Sequence, residues 1–431
     1  MDTELLQLIR NMNPWLEDKA ILPLSSDQYI PRLQTEKLLL PDWDKIWLVL
    51  VGPRQAGKTT LGKFIAQALI QQNRFEQLLY LNCDFLEIRQ YLRSPVFLQE
   101  LMRQFNLTKP ILFIDEAQRL ENPGLLLKGI ADIQLPIKMM ASGSSQLELK
   151  STIQEYLTGR HLEGLVLPFS YREVHKIEET SLIYGLYPAI VLGTQKEIIL
   201  QQLYNDYINK DIIEILRVGK PDVMQKLIRL IAHSSGQLVN YNQLATDCRV
   251  SIPTIQHYCN ILENTYTINC LKPYVGNKRK EVVSNPIYYF IDNGFRNQAL
   301  RQFSNLSSRS DTGLLIQSAV FQELLKYRVQ SFRSFDIHYW RTQSGAEVDF
   351  VLYFNEDNLI PIEVKYRNLQ KATITRSLRS FIEAYTPKKA IIITKNYSTH
   401  INIDDCMVYF MPFQNLLELP SIIEDLSSGS T

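Results

Sequence analysis

Residues 46–59 read IWLVLVGPRQAGKT. The first six form a continuous apolar run, as expected of a short strand buried on both faces. The next eight, Gly52, Pro53, Arg54, Gln55, Ala56, Gly57, Lys58 and Thr59, fit the spacing GxxxxGK[ST]. Two glycines let the chain wrap with its N–H groups inward, and a helix starting at the second adds positive potential. Such a loop cradles phosphate oxygens. Lys58 is placed to reach the distal phosphates and the Thr59 hydroxyl to ligate Mg2+, and Thr60 beside it is counted with the nucleotide-binding residues. Behind it LGKFIAQALIQQ (61–72) carries apolar residues at helical spacing.

Working outward, LLYLN (78–82), ILFID (111–115) and IKMMAS (137–142) are further short buried runs separated by helix-like stretches. Strand alternating with helix predicts a mostly parallel α/β sheet. Asp115 ends the ILFID run 57 residues after Lys58, where it would hold the Mg2+ water shell. Glu116 would polarise a water attacking the terminal phosphate of ATP. Ser142 falls where a sensor of the γ-phosphate would sit. Arg160, in LTGRH, is read as an arginine finger or sensor, with a plain salt bridge as the alternative. The expected cofactors are ATP and Mg2+.

At ~150 residues per domain, 431 residues imply two or three domains. Lys and Arg number 46 against 45 Asp and Glu, a net charge of +1, so any nucleic-acid contact must be a local patch. The five cysteines form no CxxC pair, which argues against zinc and a disulfide framework and fits a reducing cytoplasm. No signal peptide is evident, and no apolar run approaches the ~18 residues of a membrane span, so no membrane partner is expected.

Residues 222–275 read as three helices and a strand pair. Val223, Leu227, Leu230 and Ile231 mark the first helix, Asn240 caps the second, and Ser251 caps the third, with Pro253 in its first turn. Ile255, Cys259 and Leu262 form the buried stripe of that third helix, while Thr254, Gln256, His257 and Asn260 face out. This predicts a winged helix with Lys278, Arg279 and Lys280 in the wing. Seven basic against four acidic residues over 222–281 suit phosphate contact with DNA. A protein-interaction role is the alternative.

From about 312 an α+β unit is predicted, with a helix over 314–328 and strands near 336–341, 347–354, 360–365, 390–394 and 407–411. The polar stretch RQFSNLSSRSDT (301–312) reads as a linker. WRTQSGAEVDFVL (340–352) predicts a hairpin turning at Ser344-Gly345, and IPIEVK (360–365) a strand. Alternation along that strand puts Glu363 and Lys365 on one face and Val364 in the core. With Asp349 they make the D…ExK arrangement of PD-(D/E)XK nucleases, in which two carboxylates hold a divalent metal and the lysine orients the nucleophile.

GPRQAGKTT, ILFIDEAQRL, ASGSSQLEL, LTGRHLEGLVLPFSYREV and YGLYPAI, in that order, resemble the bacterial and archaeal AAA-type ATPases of the extended P-loop class that carry a C-terminal restriction-nuclease-like domain. The resemblance runs from about residue 45 to 412. It implies an N-terminal helical connector (1–44), a P-loop core (45–168), a helical lid (169–220), a winged helix (221–300) and a nuclease-like domain (312–415). Relatives tend to show an E-N pair within GLLIQSAVFQELL (313–325), where this chain has Gln317. Gln317 can ligate through its carbonyl but brings no charge, so metal affinity should fall. Glu323, about 240° round the helix at 100° per residue, is a poor replacement. The expected protein is an ATPase whose nucleotide state controls DNA-engaging elements. A slow nucleotide-dependent scaffold for protein partners and an ATP-gated nuclease are the alternatives.

Overall fold

Strand β1 (Trp47–Val51) is buried at every position, because its five apolar residues meet side chains on both faces of a sheet. The computed structural model describes residues 3–24, 29–133, 137–143, 159–215, 218–274 and 285–424. The chain divides into two units, Met1–Pro168 and Phe169–Thr431.

In the first unit β1 joins β2 (Gln77–Asn82), β3 (Pro110–Asp115), β4 (Lys138–Gly143) and β5 (His161–Leu165) in one parallel sheet of order β2-β3-β4-β1-β5. Helix α1 (Thr3–Met12) and the connector after it belong to this unit rather than standing apart. Helix α2 (Lys58–Gln71) begins at the glycine loop and buries Leu61, Ile65, Ala66 and Leu69. They pack with Leu48, Leu50, Leu78, Ile111, Phe113 and Met140 of the sheet. Gly62 is where α2 comes closest, since a Cβ there would lie 2.5 Å from the Phe113 ring. Every strand runs the same way, so all their C-terminal ends gather on one edge, where ligands of open α/β sheets bind.

The second unit opens with short helices and then presents α3 (Pro221–His233), α4 (Tyr241–Cys248) and α5 (Ile252–Asn264). The expected caps are present: the Asn240 side chain accepts from the Gln243 N–H and Ser251 from the Thr254 N–H. Ile255, Cys259 and Leu262 are fully buried. The buried face of α3 is Met224, Leu227, Ile228, Ile231 and Ala232, so Val223 and Leu230 lie at its margin rather than its centre.

Strands β6 (Ile268–Pro273) and β7 (Ile287–Phe290) follow as an antiparallel pair. They are not confined to the helical part. β6 also pairs in parallel with β8 (Asp336–Arg341), extending one eight-stranded sheet of order β12-β13-β11-β10-β9-β8-β6-β7. Its other members are β9 (Glu347–Asn355), β10 (Asn358–Lys365), β11 (Lys389–Thr394), β12 (Thr399–Ile403) and β13 (Cys406–Pro412). The stretches 221–300 and 312–415 therefore share a sheet.

The expected linker between them is packed structure. Helix α6 (Asn293–Leu300) ends in it, and Arg309, fully buried, donates to Asn297 and Asp311. Helix α7 (Thr312–Ser331) then runs buried for most of its length, and α8 (Arg376–Tyr385) packs Leu378, Phe381 and Ile382 against Val348, Val351 and Ile392. No helix among the described residues is long and apolar enough to cross a membrane.

Candidate functional site: the phosphate loop and its acidic strand

The loop between β1 and α2 has the backbone its glycines permit. Gly52 has φ +144° and Gly57 φ +96°, and Gln55 also lies in the left-handed region at +58°. At Gly52 the constraint is also one of space, because a Cβ would collide with the Val166 carbonyl oxygen. Pro53 and Ala56 are buried, Arg54 is half-buried and Gln55 is exposed at the tip. The Lys58 side chain is 4% exposed and folds back into the loop, where its Nζ donates to the carbonyls of Gly52 (3.0 Å) and Pro53 (2.9 Å). A phosphate group in the loop would replace those carbonyls as acceptor. Thr59 and Thr60, both half-buried, start α2.

Asp115 ends β3, is 2% exposed, and is surrounded by hydroxyls. Thr59 Oγ1 donates to its Oδ2 at 2.7 Å, Tyr80 Oη donates to the same oxygen at 2.8 Å, and Ser142 Oγ donates to Oδ1. Ser142 lies on β4, the strand between β1 and β3, and also accepts from the Glu116 N–H. Thr59 thus spends its proton on Asp115 and keeps its lone pairs for a cation. This donor set, one hydroxyl and one carboxylate at a helix start, suits Mg2+ with a shell of water.

Glu116 follows in the left-handed region at φ +54°. Gln118 Nε2 donates to its Oε2 at 2.5 Å. Burial pushes the Glu116 carboxyl above the ordinary carboxylate range, with Lys58 pulling the other way. A carboxylate raised by burial is suited to take a proton from water.

Arg160 is not brought to this site. It immediately precedes β5, and its carbonyl accepts from the Trp47 N–H at the start of β1. The loop leaves the other end of β1, past Val51, which pairs with Leu165. β5 runs parallel to β1, so Arg160 lies at the far edge of the sheet from Lys58 of its own chain. There it pairs with Asp132 at 3.5 Å, both side chains exposed. Tyr80 is the residue that sequence reading passed over; its signal was a hydroxyl inside an otherwise apolar run.

In the second unit Gln256, His257 and Asn260 are exposed on α5 and Thr254 is half-buried, bonded to Ser251. Lys278, Arg279 and Lys280 lie outside the described residues. The D…ExK residues do converge. Gln317 Nε2 on α7 donates to Asp349 Oδ1 at 2.8 Å, and the Val364 N–H donates to Asp349 Oδ2 at 2.6 Å. Lys365 Nζ pairs with Glu363 Oε1 at 2.9 Å, and Thr375 Oγ1 reaches both Glu363 oxygens. Glu363 is buried and Val364 only half-buried, the reverse of the expected assignment. Burial pushes the Asp349 carboxyl up to about 7, against the Val364 N–H and Lys365. Glu323 turns away from this group and accepts from the Tyr171 N–H. Among the described residues no group of three or more His, Cys, Asp or Glu side chains could hold a metal ion.

Residues 44–175 match the family described as an AAA domain. Residues 176–306 and 312–416 match two families described as domains of unknown function, DUF8612 and DUF4143. With the loop geometry above, the first match supports an AAA-type domain over residues 44–175. The chain is similar to an uncharacterized protein of Haemophilus influenzae, 25% identical over 413 residues, covering 90% of this chain and 97% of that protein. An uncharacterized protein of Mycobacterium tuberculosis is 24% identical over 347 residues, covering 77% of this chain and 73% of its own. A chain of the E. coli MS115-1 HORMA:CdnC:Trip13 complex overlaps 60% of this chain and 86% of its own, at 15% identity and a TM-score of 0.24.

Proposed function

We propose that the protein binds and hydrolyses ATP, and that its nucleotide state acts on a second unit that engages DNA. The observation that carries the first part is the convergence of Lys58, Thr59, Asp115, Ser142 and Glu116 at the C-terminal edge of one parallel sheet. Lys58 and the loop N–H groups would hold the β- and γ-phosphates. Mg2+, ligated by Thr59 and through water by Asp115, would neutralise charge on the phosphate oxygens. Glu116 would orient water and accept its proton. Arg160 could serve this chemistry only on a neighbouring copy.

The DNA reading rests on the exposed Gln256, His257 and Asn260 and, in the sequence, on the basic segment GNKRK (276–280), together read as a winged helix. The Asp349–Glu363–Lys365 group supports a nuclease-like fold. With a neutral Gln317 donating its amide to Asp349, we assign that group to gripping DNA rather than cutting it.

The test is phosphate release and binding of a fluorescent ATP analogue. Lys58→Ala should lose binding. Glu116→Gln should bind as wild type and turn over ~10²–10⁴ slower, the range for a positioned general base. Equal binding by wild type and Lys58→Ala would remove the proposal. Stimulation of wild-type turnover by duplex DNA supports the second part, and indifference favours a protein-binding scaffold.

A further inference from the structure

Tyr80 sits on β2, whose register sets Tyr80 opposite Phe113 and Asn82 opposite Asp115. Tyr80 and Asn82 are two residues apart, so both project on the face that carries Asp115. A long side chain can therefore cross diagonally from Tyr80 to Asp115, and its hydroxyl does, at 2.8 Å.

The ring is held by its neighbours. It packs on Phe113 at 5.6 Å between centroids, and the Lys63 ammonium lies 4.2 Å above it. The same ammonium is 5.4 Å from the Trp15 ring. β2 is the edge strand of its sheet, and the segment after α1 covers that edge. Asn13, fully buried, donates from Nδ2 to the Tyr80 carbonyl (2.9 Å) and accepts the Tyr80 N–H on Oδ1 (2.6 Å). Trp15 Nε1 donates to the Leu78 carbonyl two residues before. Asn13 thus does for Tyr80 what a further strand would do.

We propose that Tyr80 is a positioning residue for Asp115, and that Asn13 holds the stretch of β2 from which Tyr80 acts. The chain of contacts runs Asn13, Tyr80, Asp115, Thr59, from the N-terminal segment to the cation end of the phosphate loop. Asp115 Oδ2 takes two donors, Thr59 and Tyr80, and Oδ1 takes Ser142, which together fix the carboxylate. Without the Tyr80 hydroxyl each oxygen keeps a single donor, and the carboxylate is held less firmly toward the water shell it must order. This rests on the ATP- and Mg2+-binding reading of the loop.

The experiment measures affinity of the full chain for a fluorescent ATP analogue, in excess Mg2+ and in EDTA. The readout is the ratio of the two. Tyr80→Phe keeps the ring against Phe113 and beneath Lys63 and removes only the hydroxyl. It should lower the Mg2+-dependent gain in affinity by about 10-fold, as loss of one hydrogen bond to a charged group implies, with affinity in EDTA unchanged. Asn13→Ala should lower the same ratio by a smaller factor. A wild-type ratio in Tyr80→Phe overturns the proposal, and so does an equal loss of affinity with and without Mg2+, which marks general damage to the loop. Should Asn13→Ala not fold, Tyr80→Phe decides alone. Failure of the wild type to bind the analogue under either condition is a different result and removes the underlying nucleotide reading.

Discussion

The Val166 carbonyl occupies the space that a side chain at position 52 would need, and the Val166 N–H donates to the Val51 carbonyl at 2.7 Å. The residue just past β5 therefore presses directly on the phosphate loop, and the loop tolerates that approach only because residue 52 has no Cβ. Gly52→Ala combines this collision with a φ of +144° that alanine resists. It should cost about 2–4 kcal/mol and remove nucleotide binding, measured by urea unfolding and by analogue titration. Wild-type binding in the variant would show that the loop can shift away from β5. At this scale the sequence was informative where spacing carries chemistry. Lys58, Thr59, Asp115, Glu116 and Ser142 meet as their order along strands predicts. Arg160 takes the salt-bridge alternative, with Asp132, away from Lys58 of its own chain, because distance along the chain says nothing about which end of a parallel strand a residue occupies. Tyr80 and Asn13 were invisible, since neither belongs to a motif and they are 67 residues apart.

Elements whose burial is written in apolar runs were legible: β1 to β4, the cores of α2 and α5, and strands β8 to β11. β5, with the sequence HLEGL, was not, because it is only partly buried and shows no continuous run. β12, with exposed residues alternating along THINI, was missed as an edge strand for the same reason. The linker over 301–312 failed differently. Its polar composition serves a buried ionic cluster rather than solvent. Asp311 accepts from Arg296 at 2.8 Å and from Arg309 Nε at 2.8 Å, and both guanidinium groups are almost wholly buried. Burial works against the Asp311 charge, yet the Arg309 and Arg296 bonds hold its carboxyl down at about 2. The cluster ties the end of α6 to the start of α7. Asp311→Asn leaves two buried cations uncompensated and should cost about 3–5 kcal/mol in chemical denaturation. A loss under ~1 kcal/mol would mean other groups neutralise them.

Across the whole chain, near-neutral charge left the reading dependent on local sites, and the shared sheet of the second unit could not be read from sequence at all. The β6–β8 pairing joins residues more than sixty positions apart through Lys272↔His338 and Pro273↔Tyr339, and it carries no periodicity of its own. The same unit closes on its own first residues through α7. Lys326 Nζ donates to the Phe169 carbonyl at 2.7 Å, Gln330 donates to Ser170, and both Glu323 oxygens accept from the Tyr171 N–H at 3.1 Å. Burial pushes the Glu323 carboxyl up to about 7, against the pull of Lys326 and the Tyr171 N–H. In the unfolded chain it titrates near ~4.3. Between those values the folded protein binds the extra proton, so this group's contribution is complete below about pH 4.3 and is lost as pH rises through about 7. Glu323→Gln keeps an acceptor for Tyr171 but cannot ionise. At pH 5, where the folded-state Glu323 carries its proton and is neutral, the variant should unfold close to wild type, and it should flatten the decline toward pH 8. The comparison is urea unfolding of wild type and variant at both pH values. The wild type should lose on the order of 2–3 kcal/mol more than the variant between them. Parallel declines would show that Glu323 stays ionised throughout and that its pairing with Lys326 outweighs the burial.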